Sequence, residues 1–245
     1  MTLNILGKDL AMLQELSTKT DDSSISKQLD LINSIYANGT NGQDKLLTLL
    51  IERNQLASRR VNCVDGLIFE LLLQSNNVNI KKDINMNFKN GIVPLKSAYN
   101  IDYIPLQKLL VSKNFQAADR ITQIKLCELS RKAGNHERDW LYFTDILLLP
   151  AEDLYSIDQL WQVHSQGLFG LSIQRNIWLA QNSNWEKLWD KIGWKINKVA
   201  CRYPCEFIWD LSAPAGHLPL FNQLRGVQVL ASLFLHPVWT QSLKE

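Results

Sequence analysis

The sequence predicts an all-α fold from three features. Apolar residues recur at helical spacing, strand-like alternation is nearly absent, and capping residues or Pro/Gly breaks separate the apolar stretches. The aromatic and proline distribution then divides the chain. All 8 Trp lie between Trp140 and Trp239, and all 7 Pro lie at or after Pro94. The expected organisation is an N-terminal helical bundle with its linker over residues 1–88 and an all-helical second domain over 89–245.

In the first part, "GKDLAMLQELS" carries Leu10, Leu13 and Leu16 on one helical face. "DSSISKQLDLINSIYA" opens on the cap-like pair Asp22 and Ser23, and "GQDKLLTLLIERNQLA" and "VDGLIFELLLQ" supply two further helices. The Asn/Gly run "ANGTNG" is expected to be a turn. Short helices joined this way make a small bundle or a helix-pair array, and no self-similarity at a fixed period marks a recognised repeat. Residues 76–93, rich in Asn and Lys and without helical periodicity, are expected to be a linker.

The second part alternates helical patterns with punctuation. "IPLQKLLVSKNFQAADRITQIKLCELS" reads as two helices, the first with Pro105 in its opening turn. "SIDQLWQVHSQG" has a capping-box spacing, Ser156 with Gln159, and a stop at Gly167. "SIQRNIWLAQ", "NWEKLWDKIGW" and "LPLFNQLRGVQVLASLFL" complete the helical set. In the second of these, Trp185, Leu188 and Trp189 share a face, the spacing of core packing.

Composition excludes several function classes. With 46% hydrophobic and 20% charged residues the chain is an ordinary globular one, and a net charge of +2 with scattered basic residues gives no nucleic-acid groove. The longest apolar runs fall far short of a bilayer span. The 4 Cys form no disulfide framework, which points to a reducing compartment, and no basic-hydrophobic leader opens the sequence. Frequent Asn, Ile and Lys, with only 11 Gly and 7 Pro, match the codon bias of an A/T-rich genome.

Candidate chemistry is sparse. Asp210, Ser212 and His217 spell a hydrolase triad, but no nucleophile elbow surrounds Ser212, and a turn in which Asp210 and Ser212 bond the backbone is the stronger expectation. Cys201 and Cys205 have zinc-ligand spacing, yet His217 alone leaves such a site short of a ligand, so no metal site is expected. His136, His164 and His236 are isolated, and no phosphate loop or Asp-rich cluster occurs.

The stretch 196–218 is long for a connection in a compact domain. A helix starting near Pro219 would place Leu220, Leu224, Val227 and Ala231 on one face, with Asn222, Arg225 and Gln228 in a polar stripe beside it. An apolar loop next to a helix bearing one Arg suits a large hydrophobic ligand with an acidic end. The crowding of Trp suits either a flat aromatic ligand or a protein partner.

Four long motifs carry a resemblance. "GIVPLKSAYNIDYIPLQKLLVSKNFQAADRITQIKLCELS", "WLYFTDILLLPAEDLYSIDQLWQVHSQGLFGLSIQRNIWL", "LWDKIGWK" and "WDLSAPAGHLPLFNQLRGVQVLASLFLHPVW" resemble the Genomes-Uncoupled-Four family over about residues 91–240. The first 88 residues resemble the variable helical domain of cyanobacterial members, without a specific motif.

This resemblance implies a non-catalytic accessory protein of chlorophyll biosynthesis with no intrinsic cofactor. Its ligands would be protoporphyrin IX and Mg-protoporphyrin IX, and its partner the large porphyrin-binding subunit of magnesium chelatase. It also implies a cupped helical core. Phe143, Tyr203, His217, Leu218, Asn222, Arg225 and Gln228 would form the porphyrin site, with 196–218 as a covering loop. Two positions depart from the family: Tyr203 stands where Trp is common, and Gln228 replaces a second Arg. A monomer is expected, in a plastid stroma or a cyanobacterial cytoplasm, with peripheral membrane contact. The alternatives are a ligand-free helical interaction scaffold and a small hydrolase using Ser212 and His217.

Overall fold

The computed structural model describes residues 2–56, 59–220 and 227–240. The chain divides into two compact units, Met1–Ile92 and Val93–Glu245. Among the described residues the regular structure is helical apart from one two-stranded hairpin, as the sequence pattern requires.

The first unit holds α1 (Thr2–Leu16), α2 (Asp22–Ala37), α3 (Gly39–Gln55), α4 (Cys63–Gln74) and α5 (Val78–Asn87). Each helix packs on the next, and α2 with α4 and α3 with α5 close the array. Their apolar faces meet in a core that includes Leu13, Ile32, Ile35, Leu46, Leu50, Ile68 and Leu72.

Three details differ from the sequence reading. The cap of α2 is Asp21, whose carboxylate accepts the Ser24 N–H at 3.0 Å. The run "ANGTNG" is no loop: Asn38 alone separates α2 from α3, and Gly42 is helical. A Cβ at Gly42 would lie 1.9 Å from the Ile35 carbonyl oxygen, so glycine serves here for close helix approach rather than for turning. The expected linker also contains a helix, α5, because Asn77 caps it through the Asn79 N–H and Ile80 and Ile84 bury one narrow stripe. Two buried residues four apart are too few to register as periodicity in an Asn/Lys-rich background.

Asp65 organises the start of α4. It forms a capping box with Asn62, and Arg53 and Arg59 each reach it at 3.0 Å. Arg53 and Asp65 are both buried, so removing Asp65 would take away the carboxylate that the buried Arg53 pairs with, whereas Asp65 would keep Arg59 if Arg53 were removed.

The second unit contains α6 (Ile104–Val111), α7 (Phe115–Gly134), the 3-10 turn η1 (Ile146–Leu148), α8 (Ala151–His164), α9 (Leu171–Ala180) and α10 (Trp185–Lys191). The hairpin β1 (Lys195–Ile196) and β2 (Val199–Ala200) follows, then α11 (Gln228–Leu235) and η2 (Pro237–Trp239). Pro105 sits in the first turn of α6, and Gly167 beyond α8 has φ +83° with its N–H on the Gln162 carbonyl, both as the sequence indicates.

Helix α8 begins earlier than its capping-box spacing suggests. It starts after Pro150 with Glu152 and Asp153 in the first turn, where carboxylates oppose the helix dipole. Ser156 lies inside the helix, donating to the Lys96 carbonyl at 2.8 Å and accepting the Lys96 N–H at 3.0 Å. Asp153 adds bonds to the Ala98 N–H and the Tyr103 hydroxyl. These pairs staple the extended segment before α6 onto α8.

Two aromatic clusters organise the unit. Phe115, Trp161 and Phe169 pack mutually, with the Trp161 indole donating to Thr122 Oγ1 at 3.0 Å. Trp178, Trp185 and Phe234 join α9, α10 and α11. The face carrying Trp185, Leu188 and Trp189 is thus used for packing, with Leu188 fully buried.

Candidate functional site

The segment after α10 is not structureless. Lys195–Ala200 folds as a hairpin whose turn residues Asn197 and Lys198 both have positive φ. Beyond it Cys201, Phe207, Ala213, His217 and Leu218 are buried. The covering-loop expectation therefore narrows to the outer part, where Ile196, Val199, Tyr203 and Ile208 are exposed.

His217 is fully buried and braces this segment from inside. Its Nε2 accepts the Ile208 N–H at 3.0 Å, so the proton sits on Nδ1, which donates to the Ile192 carbonyl at 2.6 Å. Burial lowers its pKa below the ordinary 6.5, with the Ile192 carbonyl pulling partly the other way. Both ring nitrogens are committed to backbone, which leaves none for a serine hydroxyl. Asp210 accepts the Ser212 N–H at 2.8 Å in an Asx turn, so the three triad letters are structural. The same commitments remove His217 from any zinc set. Cys201 is buried with its thiol toward the Gly193 carbonyl, and Cys205 is exposed. Among the described residues no cluster of His, Cys, Asp or Glu is arranged to hold a metal.

The other expected site residues fall on two groups of elements. Tyr203 is exposed and meets Trp209 edge-on at 5.9 Å; Trp209 meets Phe207, and Phe207 meets the His217 ring at 5.6 Å. Leu218, next in the chain, is fully buried. One aromatic chain thus connects Tyr203 to the His217 brace. Phe143, 46% exposed, lies on the loop before η1, and η1 packs on α11, whose first residue is the exposed Gln228. Helices α9 and α10 link the groups: α11 packs on α9, α9 on α10 and α10 on β1.

The loop bearing Phe143 is held in shape by ions. Arg138 grips Asp145 with two nitrogens at 3.1 and 3.0 Å and lies over the Tyr142 ring at 4.5 Å, while Asp145 also accepts the Tyr142 N–H. Burial by itself would raise the Asp145 carboxyl, but Arg138, the Tyr142 N–H and His136 together outweigh it and hold the group below its ordinary range. On this frame Trp140, Tyr142, Phe143, Leu147 and Leu148 remain exposed. Leu235 of α11 is exposed as well. In the sequence they belong largely to "WLYF" and "ILLL", apolar runs with neither helical nor strand period.

Asn222 and Arg225 lie outside the described residues, as does Leu224. The helix expected from Pro219 is described only from Gln228, with Val227 as its cap. Just upstream, side chains of α7 and α9 hold the backbone. Gln174 Nε2 donates to the carbonyls of Gly216 and Pro219, and Gln123 Nε2 donates to that of Leu220. Asp119 accepts the Leu220 N–H at 2.7 Å, and burial raises its carboxyl pKa to about 7 despite that bond. Asp119, Gln123 and Gln174 had no sequence signal, because their partners lie 42 to 101 residues away.

Comparison with known proteins bears on the whole chain. Residues 96–237 match the family model described as GUN4-like, and residues 5–89 match the ARM-like repeat domain, GUN4-N terminal. The chain belongs to the GUN4 family. The second match corrects the reading of the first unit as a helix array without a repeat. Helix-pair repeats conserve packing faces more than residues, so short helices of differing composition hide the period.

Relatives span both parts. A Porphyra purpurea protein named ycf53 is 50% identical over 96% of this chain and 98% of its own length. A Synechocystis Ycf53-like protein is 48% identical over 94% of this chain and 97% of its own. The Arabidopsis thaliana tetrapyrrole-binding protein, chloroplastic, is 37% identical over 55% of this chain and 54% of its own. The solved structure of GUN4 from Chlamydomonas reinhardtii is similar with a TM-score of 0.56 and 34% identity, covering 61% of this chain and 95% of that one.

Proposed function

We propose that this GUN4-family chain binds a porphyrin, protoporphyrin IX or its magnesium derivative, and presents it to the large subunit of magnesium chelatase without catalysing a reaction itself. The observation that carries the reading is the concentration of exposed large apolar residues in the second unit. Most of them lie on the 140–148 loop, the 196–208 segment and the end of α11, and residues 96–237 match the GUN4-like family model. Exposed aromatics on frames fixed by ion pairs and a buried histidine suit a flat apolar plate better than a random surface does.

A porphyrin offers a wide apolar face and two carboxylates. Covering that face drives association at about 25 cal/mol per Å² of apolar area. About 40 heavy atoms at about 0.3 kcal/mol each set a ceiling near ~12 kcal/mol, a nanomolar affinity that a half-open site should not reach. Arg225 is the natural carboxylate partner, with Asn222 and the neutral Gln228 as hydrogen-bonding neighbours. Phe143 and Tyr203 supply the aromatic contacts, and His217 and Leu218 act beneath the surface.

The chain would work in a plastid stroma or a cyanobacterial cytoplasm, a reading supported by similarity to one relative named chloroplastic and another from Synechocystis. Titrating the protein with protoporphyrin IX should shift the Soret band and quench Trp fluorescence. Arg225→Ala should weaken binding about tenfold or more, the loss of about 1.5–3 kcal/mol from a charge-assisted bond, while leaving the circular dichroism unchanged. An identical titration curve for this variant would remove Arg225 from the site, and an unperturbed Soret band with wild type would remove the porphyrin.

A further inference from the structure

The hairpin of β1 and β2 has two unlike faces. Successive side chains of a strand point to opposite sides, so Lys195 and Ile196 diverge, as do Val199 and Ala200. Lys195 turns back onto α10, where its ammonium pairs with Glu186 and lies 5.2 Å from the centre of the Trp189 ring. Ile196 and Val199 pair across the strands and share the other face, 52% and 63% exposed. The base of the hairpin is fixed to the core. The Cys201 N–H donates to the Trp194 carbonyl at 2.9 Å, and the buried Trp194 donates its indole N–H to the His217 carbonyl. Two β-branched side chains held side by side on such a base make a small rigid apolar platform.

The turn that joins the strands is Asn197–Lys198, with φ +53° and +67°. A two-residue loop with positive φ at both positions favours Asn first and Gly second, because Gly enters that region without a Cβ clash. Asn197 follows the preference and Lys198 breaks it. A lysine kept where glycine would relieve the backbone points to a use for its side chain. Lys198 is exposed at the tip and adjoins Val199. A cation at the edge of an apolar platform matches a ligand that is apolar across its face and anionic at its rim.

We infer that this hairpin is a subsite for the porphyrin, with Ile196 and Val199 against the macrocycle and Lys198 on one of its carboxylates. The inference rests on the porphyrin reading above and adds to it a residue that selects the acidic edge of the ligand. Being exposed, Lys198 contributes selectivity for the acid more than bulk affinity.

The test titrates the full-length chain with protoporphyrin IX and with its dimethyl ester, in the same cosolvent, by Trp quenching. The ester keeps the macrocycle and lacks both charges, so the ratio of the two Kd values isolates recognition of the carboxylates. Lys198→Gly should cut the preference for the acid about threefold to fivefold, the reach of an exposed ion pair. Lys198→Arg should keep it within about twofold of wild type. Ile196→Thr combined with Val199→Thr should weaken both porphyrins about fivefold or more and leave the ratio unchanged. Without ligand, Lys198→Gly should melt at or above the wild-type temperature, since glycine suits the turn.

A ratio unchanged in Lys198→Gly, or lowered as far in Lys198→Arg, removes the lysine from the site while leaving porphyrin binding intact. A lower melting temperature for Lys198→Gly assigns the lysine to the fold and overturns the inference as well. Wild-type affinities in the double threonine variant take the platform away. A wild type that binds neither porphyrin overturns the proposed function, and this inference with it.

Discussion

Replacing His217 with alanine removes a fully buried imidazole that joins the end of α10 to the 196–218 segment. The Ile192 carbonyl loses its Nδ1–H donor in a buried setting, which costs about 1–3 kcal/mol. The Ile208 N–H loses its acceptor but sits on an exposed residue, so water limits that loss to about 1 kcal/mol. The vacated space beside Phe207 adds a cavity cost, bringing the expected total to about 3–5 kcal/mol. In a unit of this size that corresponds to a fall in melting temperature of about 10 °C.

Tryptophan fluorescence isolates the effect, because all 8 Trp lie in the second unit and none in the first. His217→Asn, whose side-chain N–H can still reach toward the Ile192 carbonyl, should recover about half of the loss. A melting temperature for His217→Ala within about 2 °C of wild type would refute the bracing role, since neither lost bond could then be contributing.

Other expectations concern pH and the staples. His217 and His236 are both held neutral, His236 by the Val238 N–H and the Leu149 carbonyl, and burial lowers both pKa values. The unfolded chain therefore takes up protons first. Their stabilising contribution is full above pH ~6.5 and is lost as pH falls through the depressed folded values. The stability advantage of wild type over His217→Asn should accordingly shrink when chemical denaturation is repeated below pH ~6.5.

Asp119 has the opposite sign. With its pKa raised from 3.8 to about 7, the native state holds the proton, so this group's contribution declines as pH rises between those values. Asp119→Asn should gain stability on wild type over that range, by up to about 4 kcal/mol. Ser156→Ala should cost about 1–2 kcal/mol in the same assay, because both bonds it makes are to the single residue Lys96, which water can reach.

The sequence by itself determined the helical class. It also indicated the division of aromatic from non-aromatic parts and, through long motifs, the family. Those are properties of periodicity and of contiguous residues, and contiguous residues can be read directly. It did not determine where helices with weak stripes begin. Ile80 and Ile84 do not stand out in "NNVNIKKDINMN", and Ser156 has the letters of a cap while serving as a staple within a helix. Nor could it distinguish catalytic letters from a turn at Asp210 and Ser212.

The tertiary structure decided these matters, because each depends on a partner distant in the chain. His217 became a brace when folding set its ring 2.6 Å from the Ile192 carbonyl. Asp119 became a backbone clamp when α7 met a residue 101 positions later. A buried polar group takes its role from whichever donor or acceptor folding brings within about 3 Å, and local sequence carries no record of that choice.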